Sequence, residues 1–183
     1  EIHFMPQSNI LALGDNATLK QLAKNLEAQQ IKLYCFNTLA IIPLDWQKNN
    51  IPWQNIDKVI VTSSNAVLYG LNSIIALLAE HTLLFAVGPN TAATIQTEKT
   101  IITPPRYHSE SLLEHPALQT LAGQKIVLFK GRGGRALLPQ TLQQRGGILY
   151  TIDCYERQPV ITDLTKQLSF WQSQHVDHLI LSS

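Results

Sequence analysis

Residues Ile126-Val-Leu-Phe-Lys-Gly-Arg-Gly-Gly-Arg-Ala-Leu-Leu138 decide how the rest of the chain is read. Ile126 to Phe129 is an unbroken apolar run, which suits a strand buried on both faces rather than one with a wet side. Lys130-Gly131-Arg132-Gly133-Gly134 then ends it with a basic turn, where glycine permits positive φ and close backbone approach. A helical pattern follows from Arg135 to Arg145, and Gly146-Gly147 supplies its C-cap. The unit is strand, polar turn, helix.

The same unit recurs along the chain. Ile10 to Leu13 leads through Gly14-Asp15-Asn16 into Ala17 to Gln30, where Leu19, Leu22, Ala23 and Leu26 form one apolar stripe. Val59 to Val61 leads through Thr62-Ser63-Ser64-Asn65 into a helix predicted over Ala66 to Glu80. Leu83 to Val87 leads through Gly88-Pro89-Asn90-Thr91 into a short helix from Ala92. A further copy begins at His178-Leu-Ile-Leu and reaches Ser182-Ser183. Alternating signals of this kind predict an α/β fold with parallel sheets flanked by helices. The copies are not close repeats, which argues against a solenoid.

Ile31 to Leu44 and Ile148 to Val160 are too long for one strand of a compact sheet, and each meets a proline, Pro43 or Pro159. They read as connectors between lobes. The expected architecture is therefore two lobes, each a parallel sheet flanked by helices, joined by a two-stranded extended connector. The first lobe is placed at residues 1–36 plus 160–183 and the second at 37–159.

Composition narrows the function. The 183 residues suffice for one ordinary domain or two small ones. Charged residues make up 15% of the chain, against roughly 25% in soluble proteins, in keeping with strands that have no wet face. A net charge of +1 offers no global field for nucleic acid or anionic membrane, so an anionic ligand has to be held by local groups. No apolar run approaches the ~18 residues of a membrane helix, and no export leader is recognisable, so a soluble cytoplasmic protein is expected. Cys35 and Cys154 sit in apolar runs without CxxC spacing and read as reduced and buried. The six histidines show no metal-binding spacing and read as surface or loop residues, so no metal is expected. Ser63 and Ser64 lie outside any G-x-S-x-G elbow, so a Ser-His-Asp triad has no footing.

In parallel α/β sheets ligands bind beyond the carboxyl ends of the strands, where helix N-termini favour carboxylates and phosphates. That makes Thr62, Ser63, Ser64, Asn65, Gly88, Lys130, Gly131, Arg132, Gly133 and Arg135 candidate ligand-binding residues. The serines, threonine and asparagine are equally ordinary helix caps. Two arginines in the glycine turn suit clamping of carboxylates. The turn lacks Walker A spacing, but Gly131, Gly133 and Ala136 match a relaxed G-x-G-x-x-A with Asp153 downstream. An NAD(P)-binding oxidoreductase thus stays open, as does a non-catalytic two-lobed binder of a small anion. Tyr155, on the returning connector, is either a proton or hydrogen-bond donor or a structural residue of the hinge.

Five segments in order carry a resemblance. They are Val61-Thr-Ser-Ser-Asn-Ala-Val67, Phe85-Ala-Val-Gly-Pro-Asn-Thr-Ala-Ala93, Ser109-Glu-Ser-Leu-Leu113, Val127-Leu-Phe-Lys-Gly-Arg-Gly-Gly-Arg-Ala-Leu-Leu138 and Asp153-Cys-Tyr-Glu-Arg157. Together they resemble the uroporphyrinogen-III synthase family, from about Ile10 to the end of the chain. The resemblance implies two α/β lobes with the active site in the cleft between them, no metal and no cofactor. Its substrate would be hydroxymethylbilane, a linear tetrapyrrole with eight carboxylates, received from the preceding pathway enzyme by a monomer. Loss of the hydroxymethyl oxygen as water gives an azafulvene, and a spiro intermediate then inverts the last ring before closure. The resemblance makes Tyr155 the aid to hydroxyl departure and Thr91 a second catalytic residue facing the cleft. Ser63, Ser64, Ser109 and the amides of Gly131 to Gly133 would hold the substrate's acid groups. There are departures too. Leu13-Gly-Asp15 stands where the family often has Thr-Arg-Pro, and residues 1–9 match nothing and read as partly foreign. Relatives continue past the position of Ser183 with a second Val-Gly-x-x-Thr-Ala unit, so an unfinished first-lobe sheet and impaired activity are expected.

Overall fold

Runs of consecutive apolar residues become the buried strands. The computed structural model describes residues 9–27, 31–160 and 163–181. The chain divides into two compact units, Glu1–Ile41 with Arg157–Ser183, and Ile42–Glu156. In chain order the elements begin with β1 (Asn9–Asp15), α1 (Asn16–Glu27), β2 (Lys32–Pro43), β3 (Lys58–Val61), α2 (Ser64–Tyr69), β4 (Leu83–Ala86) and α3 (Pro89–Ala93). They continue with β5 (Ile101–Ile102), α4 (Ser109–Leu113), β6 (Lys125–Gly131), α5 (Leu137–Gln144), β7 (Ile148–Pro159), α6 (Leu164–Ser173) and β8 (His178–Leu181).

In the smaller unit β1 is central and parallel to both neighbours, with Ile10 opposite Leu33 of β2 and His178 of β8. Ile10, Leu11 and Ala12 are buried, as are Leu19 and Leu26 of α1. The α6 helix is seated by edge-to-face contacts of Phe170 on Tyr34 and of Trp171 on Phe36. The N-cap of that helix is Asp163, whose carboxylate accepts the Thr165 and Lys166 amides.

The larger unit has the strand order β5-β4-β3-β6-β7. Every pairing in it is parallel, with Val61 opposite both Ala86 and Phe129. Ile60, Phe85, Ile126 and Leu128 point to one face and meet Leu112, Leu118, Leu121, Leu138 and Leu142. On the other face Phe129 stacks with Trp53 and meets Trp46 edge-on. The unbroken apolar run is the guide to this double burial: Val59, Ile60 and Val61 are at most 1% exposed.

The long extended stretches are single strands of 12 residues, β2 and β7, and each runs through the boundary between the units. The Val160 amide donates to the Thr38 carbonyl at 3.0 Å and the Leu44 amide to the Cys154 carbonyl at 3.0 Å. One residue number rises as the other falls, so the ladder is antiparallel.

Three expectations are corrected. The helix predicted over 66–80 ends at Tyr69 and gives way to 3-10 turns at Leu71–Ser73 and Ile75–Leu77. The break lies at Gly70, which has non-helical dihedrals and carries Leu71 and Ile74 into the core; packing overrides helical periodicity there. The helix after the basic turn starts at Leu137 rather than Arg135. Its C-terminus does carry the expected glycine, with Gly146 at φ 88°. Cys35, read as buried, is exposed, because α1 covers it only as far as a 3.9 Å approach of Sγ to the Leu19 carbonyl; Cys154 is buried. Residues 1–8, 28–30, 182 and 183, on which some expectations fell, lie outside the described residues.

A methyl group at Gly70 would stand 2.4 Å from Phe129 Cδ1 and 2.7 Å from the Ala66 carbonyl oxygen. Gly70→Ala is expected to destabilise the protein by about 1–3 kcal/mol, the usual cost of overpacking. Urea unfolding measures it, and an unchanged midpoint would show that the aromatic cluster yields without cost.

Candidate functional site

Parallel pairing brings the turns after β3, β4 and β6 to one edge of the larger unit. The turn after β3 is built by its own hydroxyls. The Thr62 amide and hydroxyl both donate to the Phe129 carbonyl, at 3.2 and 3.3 Å. Ser63 is the N-cap of α2 and its Oγ accepts the Ala66 amide at 3.2 Å. Ser64 Oγ donates to the Asn90 carbonyl at 3.3 Å, which ties the turn after β3 to the one after β4. Asn65 is half-buried. In the second turn, Gly88 is the N-cap of α3 and has Tyr107 against its bare α-carbon, while Thr91 is buried within the helix.

The turn after β6 meets Tyr155. Gly131 is opposite Tyr155 across a register shift, and a Cβ there would lie 2.6 Å from the ring carbon Cζ. The missing side chain is what admits the ring. The Tyr155 hydroxyl lies 2.9 Å from Ser63 Oγ, and its carbonyl accepts the Arg132 amide at 2.7 Å. Tyr155 itself is only 2% exposed. Of the turn amides read as carboxylate donors, that of Arg132 is therefore already committed to the protein. Gly133 and Gly134 follow with positive φ, 74° and 81°, and nothing lies within 4 Å of where their Cβ atoms would be.

Each cation of the turn has a carboxylate partner. Lys130 Nζ is 2.9 Å from Asp153 Oδ1, Arg132 Nη1 is 2.8 Å from Glu156 Oε2, and Arg135 pairs with Glu110. Sequence reasoning misses Glu110 and Glu156 and gives Asp153 another role. A signal does exist for two of them. Lys130 and Asp153 each follow an apolar residue near the carboxyl ends of strands one strand–helix unit apart, so parallel pairing brings them level, and Arg132 and Glu156 lie two and three residues further on. Arg135 holds the Glu110 carboxyl below the ordinary carboxylate range, chiefly by its hydrogen bond. His108, ahead of α4, also differs from its reading as a simple loop residue: its Nδ1 accepts the Ser111 amide at 3.2 Å and caps the helix. Ser109 is the first residue of that helix and is half-buried. Burial pushes the Cys154 thiol, behind the site, up to about 11.

Solvent screens exposed ion pairs, so the arginines' hold on Glu110 and Glu156 is weak. A pocket of about 210 Å³ in the same unit, bordered by Thr103, Pro104, Pro105 and Leu112, involves none of these turns. Among the described residues there is no cluster of three or more His, Cys, Asp or Glu suited to a metal, and no helix long and apolar enough to cross a membrane.

The profile of the family described as uroporphyrinogen-III synthase HemD matches residues 20–183. The chain belongs to the uroporphyrinogen-III synthase family. It is 33% identical over 102 residues to the uroporphyrinogen-III synthase of Escherichia coli K12, a stretch covering 54% of this chain and 42% of that one. It is 32% identical over 130 residues to that of Proteus mirabilis, covering 67% and 65%. The matched stretch thus spans less than two thirds of these curated relatives. Among solved structures, a mutant uroporphyrinogen III synthase of Thermus thermophilus superposes with a TM-score of 0.65 at 17% identity, over 96% of this chain and 73% of that one. The uroporphyrinogen-III synthetase of Helicobacter pylori 26695 gives 0.52 at 15%, over 88% and 67%. The fold is that of the uroporphyrinogen-III synthases. Membership of this family supports neither the NAD(P) reading of Gly131, Gly133, Ala136 and Asp153 nor the non-catalytic binder.

The Glu110 pair gives a pH test. Its carboxyl is depressed in the folded state, so the pair's contribution is present above the ordinary carboxylate range and is lost as pH falls through the lowered value. In Arg135→Gln the Glu110 side-chain NMR titration is expected to move upward, toward the ordinary range. An unmoved midpoint would show that the pair does not persist in solution.

Proposed function

We propose that this chain carries its family's ring closure, the conversion of hydroxymethylbilane to uroporphyrinogen III with inversion of the last ring and loss of water. The observation that supports it is the family match over residues 20–183. Departure of the hydroxyl draws its electron pair from the pyrrole nitrogen, so the reaction needs no resident metal or cofactor. Unaided closure gives the uninverted isomer, and positioning is therefore the protein's main contribution, with proton donation second.

In this reading the acid groups of the substrate replace Glu110 and Glu156 on Arg135 and Arg132, while Lys130 stays paired with Asp153 and sets the local potential. Thr62, Ser64, Asn65, Gly88, Ser109, Gly131 and Gly133 shape the carboxylate-binding edge. Thr91 and Tyr155 are the catalytic side chains, with the Tyr155 phenol as the proton source for the leaving hydroxyl. The protein works as a cytoplasmic monomer that takes its substrate from the preceding enzyme.

The test generates hydroxymethylbilane in situ and reads the ratio of isomers III and I after oxidation. Isomer III is expected from a version extended to the length of the relatives, with less or none from residues 1–183 alone, and its rate of formation should fall about 100-fold in Tyr155→Phe, a typical loss for a proton donor. Isomer I alone from folded protein of both lengths would overturn the reading. An unchanged rate in Tyr155→Phe would remove that residue from the catalytic set.

A further inference from the structure

The phenol just assigned as proton source is one of the least accessible groups near the turns: Tyr155 is 2% exposed and its ring fills the space above Gly131. Its hydroxyl lies 2.9 Å from Ser63 Oγ, and Ser63 is half-buried at the start of α2. The neighbouring hydroxyls are spent on backbone, that of Thr62 on the Phe129 carbonyl and that of Ser64 on the Asn90 carbonyl. Ser63 differs. Its oxygen accepts the Ala66 amide with one lone pair, and the second can accept the Tyr155 hydroxyl. With Tyr155 as the donor in that contact, the Ser63 hydrogen is left for a ligand at the turn.

We propose that Ser63 is the residue that touches the leaving hydroxyl, and that Tyr155 acts through it as a two-member proton relay. This rests on the ring-closing reading above. As the carbon–oxygen bond breaks, Ser63 Oγ gives its proton to the departing oxygen and water leaves. Tyr155 Oη gives its proton to Ser63 Oγ in the same movement, and the electron pair that expels the oxygen comes from the pyrrole nitrogen. Ring closure later releases a proton from the terminal pyrrole carbon, and that proton returns through Ser63 to Tyr155. The pair ends as it began, and no oxidant, reductant or metal enters the balance. Ser63 is thereby moved from carboxylate binding to chemistry.

The experiment, run at the extended length, compares wild type, Ser63→Ala, Ser63→Thr, Tyr155→Phe and the Ser63→Ala/Tyr155→Phe double variant. The isomer-III assay is paired with 13C NMR of ring-labelled tyrosine, in which the Tyr155 Cζ signal is identified by its loss in Tyr155→Phe. A relay predicts that both single variants lose about 100-fold in kcat with KM little changed. The double variant should be no slower than either single one, and Ser63→Thr should keep most of the rate. The Tyr155 Cζ signal should move in Ser63→Ala and stay in Ser63→Thr. Multiplying losses in the double variant, a Ser63→Ala defect confined to KM, or an unmoved Cζ signal would each overturn the relay. Failure of the underlying reading looks different, namely no isomer III from wild type with the Cζ signal still answering to Ser63.

Discussion

Strand β6 is hydrogen-bonded along both edges and packed on both faces, and the rest of the larger unit is arranged around that constraint. A strand so placed can change neither register nor face, so the point where its apolar run ends is fixed in space. Lys130 and Gly131 mark that point. The register shift between them places Gly131 opposite Tyr155, and the absent side chain lets an aromatic ring lie where backbone would otherwise be shielded. Ser63 then reaches the phenol because β3 is paired in parallel to β6. Three residues from three separated segments meet with almost no freedom left to any of them.

Around that rigid centre the charges are loosely held. The outer members of the basic turn sit well in solvent and their carboxylate partners come from other elements, so the turn is locally close to neutral until a ligand arrives. Lys130 and Asp153 are the better-shielded pair. The contrast suits a polyanionic ligand. A fully naked cluster of cations would repel itself, whereas exchangeable partners keep the arginines oriented and surrender them cheaply.

Much of this is visible in the chain itself. The apolar runs at Val59–Val61, Leu83–Val87 and Ile126–Phe129, each followed by Ser, Thr, Asn or Gly, become parallel strands feeding turns, because hydrophobic continuity and turn chemistry act locally. The long stretches at β2 and β7 are legible for the same reason. What escapes is set at a distance. Nothing in residues 66–80 says that Gly70 must accommodate Phe129, so periodicity alone carries the helix too far. The serines of the 62–65 turn can be named, yet their different duties cannot, since those depend on the carbonyls of Phe129 and Asn90 and on a phenol 92 positions away. Glu110 gives no local hint of Arg135, 25 positions on.

The two cysteines differ in a way that matters at the bench. Cys154 is sealed behind the basic turn, its thiol held to backbone carbonyls and raised to about 11, so at neutral pH it presents neither thiolate nor an approach path to reagents. Cys35 lies exposed on β2, in the smaller unit. Residues 1–183 therefore offer one attachment point for a dye or spin label, remote in sequence from every residue of the turns.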